Sequence, residues 1–160
     1  IFTRTDGIAL ATYFVADALT GNLAGPDQRD RFESLLHKAL TGEEVDFPAL
    51  IGRQRITRPL YQAYTGERIP TQIRLDNDAS DTRTLIEIET EDRIGLLYTL
   101  SQTLTELALD IAAAKICTER GAALDSFYVR ELNGEKVLAP ERHRAIERRL
   151  RHAIHALDAP

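Results

Sequence analysis

Four consecutive residues, Asp92, Arg93, Ile94 and Gly95, have types and a spacing that could bind a carboxylate. They follow residues 82–90, where apolar and polar side chains alternate as in a strand, and they precede a leucine-rich segment typical of a helix. The start of a helix presents free backbone N–H groups and the positive end of the helix dipole, and both favour an anionic ligand. Gly95 permits another group to approach the backbone closely, and Asp92 is expected to cap the helix. The structural alternative is that Asp92 only caps and Gly95 only packs.

The remaining polar side chains indicate no catalytic or metal-binding group. Asp76 and Asp78 have the spacing of a metal-binding pair, but no Gly-Ser phosphate loop precedes them, and a turn is the favoured interpretation. An Arg-rich run at residues 142–151 is typical of a solvated helix face rather than of a docking site for an acidic partner. The single Cys117, expected to be a buried small side chain, excludes an internal disulfide and a multi-cysteine metal site. The sequence therefore predicts no catalytic residue, no metal and no cofactor in this chain.

The composition narrows the class of protein further. The chain has 160 residues, of which 28% are charged, and a formal net charge of −5. A nucleic-acid binder needs an excess of Lys and Arg, so this charge argues against a nucleic-acid partner. Since no apolar run has the length of a membrane span and no secretory signal opens the chain, we expect no membrane partner and a reducing compartment, the cytoplasm. The chain contains no Met and opens on a strand-like Ile-Phe-Thr, which predicts that it is part of a longer protein.

The second half of the chain predicts the order β-α-β-β-α. Strands are expected at residues 82–90, 109–118 and 122–131, and helices at 94–107 and from Pro140 onward. Five leucines form the expected apolar face of the first helix: Leu96, Leu97, Leu100, Leu104 and Leu107. This order is that of the split βαβ, or ferredoxin-like, fold. We therefore expect an α+β fold, an antiparallel sheet with helices on one face.

An internal repeat relates the two halves. A shift of 114 residues places Gly7 on Gly121, Pro26 on Pro140, and Tyr13-Phe14-Val15 on Phe127-Tyr128-Val129. The first copy then has a strand end at residues 1–5, a strand at 8–17 and a helix at 26–40, and its own β-α unit would lie before residue 1. The helix is expected to bury five apolar side chains: Phe32, Leu35, Leu36, Ala39 and Leu40.

The repeat divides the chain into a truncated first module, residues 1–78, and a second module, residues 79–160. A linker at 41–70, with a short helix expected at 59–64, leads to a strand at 71–76. This strand is joined by a short turn to the strand at 82–90. It either closes the sheet of the second module in permuted fashion or is the last strand of the first module, with the two sheets running side by side.

The segment from Asp92 to Leu97 resembles the Asp-Arg-Pro-Gly-Leu-Leu loop of ACT domains, with Ile94 where that family usually has Pro. Residues 110–116 and 125–129 look like the second and third strands of the same module. Residues 1–7, 13–17 and 73–80 are similar to the tandem ACT region of the bifunctional uridylyltransferase/uridylyl-removing enzymes, which modify the nitrogen-regulatory PII protein.

This resemblance implies a regulatory region that senses a small amino acid, glutamine in that family. It implies a ligand between the loop of one module and the second strand of its neighbour, with the expected residues Asp92, Arg93, Ile94, Gly95, Leu96, Ala112, Ala113 and Lys115. Backbone N–H groups of the loop would hold the α-carboxylate, and Asp92 or a facing carbonyl the α-ammonium. The parent protein would carry upstream catalytic domains that use Mg²⁺ and UTP and act on PII. An exposed sheet edge predicts a homodimer through sheet or helix pairing.

Three alternatives remain open from the sequence. The chain could be a ligand-free ACT module for interaction or dimerisation, or the ACT region of another amino-acid enzyme. The third alternative, an RNA-binding fold of related topology, is disfavoured by the negative charge.

Overall fold

The structure is a computed structural model that describes residues 1–4, 6, 8–17, 20–55 and 69–158. Its elements are β1 (Phe2–Thr3), β2 (Ala9–Leu10), α1 (Pro26–Leu40), α2 (Phe47–Arg55), β3 (Gln72–Asp76), β4 (Thr84–Glu91), α3 (Leu96–Glu106), β5 (Leu109–Lys115), β6 (Thr118–Glu119), β7 (Ala122–Glu131) and α4 (Pro140–Ala156). The chain divides into two compact units, one formed by Ile1–Thr12 with Gly66–Pro160 and the other by Tyr13–Thr65.

An antiparallel sheet forms the larger unit. Its strand order is β2-β1-β5-β7-β4-β3, and β6 also pairs with β7. The central pair, β4 and β7, runs from Thr84 opposite Val129 to Glu91 opposite Ala122. At the edge, β3 pairs with β4 and places Asp76 opposite Leu85. The strand predicted at 71–76 therefore closes the sheet of the second module, the first of the two alternatives, and the predicted ferredoxin-like α+β fold is confirmed.

The core lies between one face of this sheet and two helices. Alternate residues of β4 and β7 point into it, and α3 and α4 contribute side chains spaced four residues apart. The fully buried set includes Ile86, Phe127, Val129, Leu100, Leu104, Ile146, Leu150 and Ile154. Burial of each such side chain contributes about 1.5–3 kcal/mol. Leu97, placed on the apolar face by the sequence, is instead 44% exposed, because it lies about 100° around the helix from Leu96.

Several predicted boundaries in the second module shift by a few residues. The helix expected from residue 94 begins at Leu96, because Gly95 has a left-handed backbone conformation and cannot be its first helical residue. The strand expected at 109–118 ends at Lys115, and Thr118–Glu119 form a separate strand. The strand predicted at 122–131 has the bounds of β7.

The predicted first module, residues 1–78, departs most from the predictions. Helix α1 has the predicted bounds, but none of its residues is buried, so the predicted buried face is wrong: Phe32 is 38% exposed and Leu40 78%. The Phe32 ring packs edge-on against Tyr13, with centroids 5.1 Å apart. The predicted strand at 8–17 is reduced to β2 and an isolated bridge between Ala16 and Leu23. Helix α2 was not predicted, and the helix expected at 59–64 lies outside the described residues.

The compact units cut across the proposed division at residues 78 and 79. Strands β1, β2 and β3, all placed in the first module, belong to the unit that contains the whole second module. The predicted division was based on the sequence repeat, but three strands of the predicted first module join the sheet of the second.

Candidate functional site

The strand-to-helix loop between β4 and α3 is shaped by Gly95. Gly95 is the N-cap of α3 and has a φ of +89°, a conformation that costs a residue with a Cβ atom about 1 kcal/mol or more. No side chain caps the helix, so the prediction that Asp92 caps it is wrong. Asp92 is three residues before the N-cap, and its own N–H donates to the carbonyl of Gly121 at 2.8 Å, which ties it to the neighbouring hairpin.

Several backbone N–H groups at the start of α3 have no hydrogen-bond acceptor among the described residues. The N–H of Leu96 donates to the carbonyl of Arg93 at 3.0 Å. The N–H groups of Ile94, Gly95 and Leu97 donate to no acceptor within the described part of the chain. Unused N–H groups at the positive end of a helix dipole favour an anion. The loop can therefore accept a carboxylate through its backbone.

The side chain of Asp92 faces the β6 strand rather than α3. The hydroxyl of Thr118 donates to Asp92 Oδ2 at 3.3 Å, and the backbone N–H of Arg93 donates to the same carboxylate. Burial raises the pKa of Asp92 above its ordinary value, and these two hydrogen bonds oppose that rise. Asp92 thus remains beside the loop, where a cationic group of a ligand would compensate its buried charge.

Asp125 is a further acidic residue of this region that the sequence analysis did not single out. It is only 3% exposed, and its Oδ1 accepts the N–H of Cys117 at 3.4 Å. Burial raises the pKa of Asp125 to about 6, and the charge of Asp92 adds to the rise. The signal in the sequence was a charged residue between Ala123 and Phe127, on the core-facing side of an alternating strand.

The guanidinium of Arg93 points away from the unused N–H groups and toward the end of α4. It donates to the carbonyl of Ile154 at 3.2 Å and forms ion pairs with Asp158 at 3.0 Å and with Glu91 at 3.6 Å. Arg93 can therefore serve a ligand through its backbone, while its side chain fixes the loop.

The residues expected on the second strand lie around a bulge in β5. The pairing with β7 shifts register between Ile111 and Ala113, so Ala112 is the extra residue. The outer edge of β5 is occupied by the chain start: Phe2 pairs with Ala113, and the N–H of Ala114 donates to the carbonyl of Ile1 at 3.0 Å. Since β7 lies between β4 and β5, the structure does not bring these residues together with the loop of their own module.

Lys115 is exposed and lines a cleft of about 420 Å³, together with residues of β3, β4 and β7. The charged residues that share this cleft are Arg74, Glu87, Glu89, Glu119 and Asp125. Cys117 also lines it and is exposed, so its predicted burial is wrong; the segment between β5 and β6 bends away from the core. Lys115 makes no ion pair with any described residue.

The described residues contain neither a membrane-spanning helix nor a group of potential metal ligands. None of the helices there combines the length and the apolar character needed to cross a membrane. No group of three or more His, Cys, Asp or Glu side chains is close enough to hold a metal ion in this part of the chain.

The family of this chain is given by its match to a protein-family model. The model described as an ACR9-like, ACT-like domain matches residues 72–157, the stretch that holds β3 to α4. The chain belongs to the ACT-like domain family. The chain is also 37% identical over 153 residues to a bifunctional uridylyltransferase/uridylyl-removing enzyme of Cereibacter sphaeroides, and 36% identical over 155 residues to that of Azospirillum brasilense. A third relative of the same name, from Ruegeria pomeroyi, is 35% identical over 153 residues.

These relatives confirm the predicted resemblance. Each alignment covers 96% of the chain, which spans only 16% of the length of the relatives. No solved structure matches the chain significantly.

Proposed function

We propose that this ACT-like region binds a free amino acid, glutamine, and thereby regulates a longer uridylyltransferase/uridylyl-removing enzyme. The observation that carries the proposal is the loop at Gly95, where the N–H groups of Ile94, Gly95 and Leu97 are unused at the start of α3. They would hold the α-carboxylate. Asp92, half-buried beside the loop, would attract the α-ammonium.

The proposed site also requires the second strand of a neighbouring module, and the sequence repeat identifies β1 as part of such a strand. Under the shift of 114 residues, β1 is equivalent to the segment that follows Ala114, and it already pairs with β5. By the same symmetry Ala112, Ala113 and Lys115 would face the corresponding loop of a neighbouring ACT module. The two groups of predicted residues therefore belong to two related sites rather than to one.

The regulatory consequence follows from differential binding. A ligand shifts the balance between two states of the parent enzyme only by as much as it prefers one of them. We propose that the catalytic steps, with Mg²⁺ and UTP and with PII as the protein substrate, take place in other domains of the parent, in the cytoplasm. The relatives support one part of this proposal, the addition and removal of uridylyl groups, which their name gives.

A homodimer is part of the proposal. β3 is an edge strand of the sheet, so one side of its backbone pairs with no other described strand. Light scattering of the purified chain at increasing concentration tests this, and a constant monomer mass would contradict it.

Calorimetric titration of the chain with L-glutamine and a panel of other amino acids tests the ligand. Gly95→Ala is expected to weaken glutamine binding at least tenfold, because alanine resists a φ of +89° and moves the N–H groups. Gly134→Ala is a matched control: Gly134 has a φ of +90° and open space around its Cβ position, and it lies in the turn after β7. It should bind glutamine as the unmodified chain does.

The experiment also decides between the two leading functions. The sensor function is supported if the unmodified chain gives heat on titration with glutamine and if Gly95→Ala weakens this binding. If no amino acid gives heat, the sensor proposal fails and the ligand-free interaction module is favoured. The filled edge of β5, where β1 already pairs, is the observation that suits this second function.

A further inference from the structure

We propose that Arg93 is a positioning residue that couples the ligand loop to the carboxyl end of α4, so that a ligand on the loop and the last turn of α4 stabilise each other. The inference rests on the proposed function only where it concerns a ligand. The contact itself is a property of the chain.

The contact joins two segments that are 61 residues apart. Arg93 Nη1 donates to the carbonyl of Ile154 at 3.2 Å and also lies 3.0 Å from Asp158 Oδ1. The Arg93 side chain is only 19% exposed, so water competes weakly for these bonds. One guanidinium thus holds both the last helical turn and Asp158, two residues beyond the end of the helix.

The chemistry of a helix end explains why an arginine fits here. Carbonyl groups of the last turn have few partners and carry the negative end of the helix dipole, which favours a cation. A guanidinium can donate to a carbonyl and pair with a carboxylate at once, because its N–H groups point in several fixed directions. A lysine, with one small cationic group, would serve only one of these acceptors well.

The far end of the contact lies next to the core. The side chain of Ile154 is fully buried there, so its carbonyl links the loop to a helix turn that packs in the core. The near end belongs to the loop whose unused N–H groups follow directly at Ile94 and Gly95. Arg93 therefore fixes the loop to the core from outside the space that a ligand would occupy.

Coupling between two sites is reciprocal. If the contact holds the loop in its binding conformation, then a ligand that stabilises the loop also stabilises the contact, and with it residues 152–158. Loss of the contact should increase the mobility of both segments together. It should also weaken binding of the ligand, although no group that touches the ligand is removed.

Hydrogen exchange followed by mass spectrometry on the 160-residue chain tests the coupling. In Arg93→Gln we expect exchange at residues 92–97 and at 152–158 to rise together by tenfold or more. Arg149→Gln is the matched control. This substitution also removes a positive charge and an ion pair, the one between Arg149 and Glu106 at 2.8 Å, but Arg149 does not contact the loop. It should leave both segments unchanged. Asp158→Asn, at a half-exposed position, provides a milder variant if Arg93→Gln does not fold.

Addition of L-glutamine supplies the second readout. In the unmodified chain glutamine should protect both segments, whereas in Arg93→Gln it should bind about tenfold more weakly and protect only 92–97. Arg93→Lys should be intermediate. Equal protection of 152–158 in both chains, or a loop that loosens without α4, would overturn the proposal. If glutamine does not bind the unmodified chain, the sensor function fails, and exchange without ligand still decides the coupling.

Discussion

The carboxyl groups of Asp92 and Asp125 repel each other beside one bend in the chain, and this repulsion adds to the raised pKa of Asp125. Thr118 donates to Asp92 and the preceding Cys117 donates to Asp125. Neither carboxyl forms an ion pair with a described residue, and burial raises the pKa of both. The bend between β5 and β6 therefore holds two charges that the fold itself does not neutralise, next to the loop that we propose as the ligand site.

The first prediction concerns the pH dependence of stability. Burial raises the pKa of Asp125 from 3.8 to about 6, so between these values the folded chain binds more protons than the unfolded one. The contribution of Asp125 to stability is then complete below pH 4 and is lost as the pH rises through 6. Asp125→Asn keeps an oxygen for the Cys117 N–H but carries no charge. It should stabilise the chain at pH 7.5 by on the order of 2 kcal/mol and have little effect at pH 4.

Urea unfolding at several pH values, followed by circular dichroism, measures this difference. Asp81→Asn makes the same change of net charge in an exposed turn and should give no such pH-dependent gain. A gain from Asp125→Asn that is the same at pH 4 and pH 7.5 would contradict the assignment.

The second prediction concerns the hydrogen bond between Thr118 and Asp92. Because the hydroxyl lowers the pKa of Asp92 by stabilising the ionised form, Thr118→Val should raise that pKa further. Thr118→Ser keeps the hydroxyl and should not. NMR titration of the Asp92 side-chain carbonyl measures the pKa directly, and a fall in Thr118→Val would show that the hydroxyl is not the donor.

The third prediction separates two leucines that the sequence placed on one helix face. Leu100 is fully buried, so Leu100→Ala should destabilise the chain by about 3 kcal/mol through lost contacts and a cavity. Leu97 is 44% exposed, and Leu97→Ala should cost less than about 1 kcal/mol. The free energy of unfolding in urea compares them, and equal losses would contradict the packing described for α3.

The two proline-started helices show how far sequence patterns reach. Pro26 and Pro140 begin α1 and α4 where the sequence predicted, because proline at the first helical position is a local signal. The burial of the two helices was not equally predictable. Their apolar stripes look alike, but an apolar stripe is buried only where another element packs on it, and periodicity does not report that element.

The candidate site shows the same limit. The loop and its glycine were predictable, since a strand, a glycine and a leucine-rich segment follow one another. The direction of the Arg93 side chain was not, because its partners Ile154 and Asp158 lie more than 60 residues away. The role expected of Asp92 failed for a related reason. A capping residue is recognised by its distance from the helix start, and Gly95 moves that start by two residues.

The fourth prediction concerns a buried hydroxyl that joins β4 to the segment before α4. Thr84 is fully buried; its hydroxyl donates to Asn77 Oδ1 at 2.7 Å and accepts the N–H of Val137 at 2.9 Å. Thr84→Val keeps the shape of the side chain but leaves both partners unsatisfied, and Val137 is itself only 1% exposed.

A buried polar group without a partner costs about 1–3 kcal/mol, so Thr84→Val should lower the free energy of unfolding by about 2–4 kcal/mol. Thr84→Ser keeps the hydroxyl and loses one methyl group, so it should cost only about 1 kcal/mol. Urea denaturation of the three chains ranks them, and Thr84→Val as stable as Thr84→Ser would mean that the methyl group, not the hydroxyl, holds this part of the core.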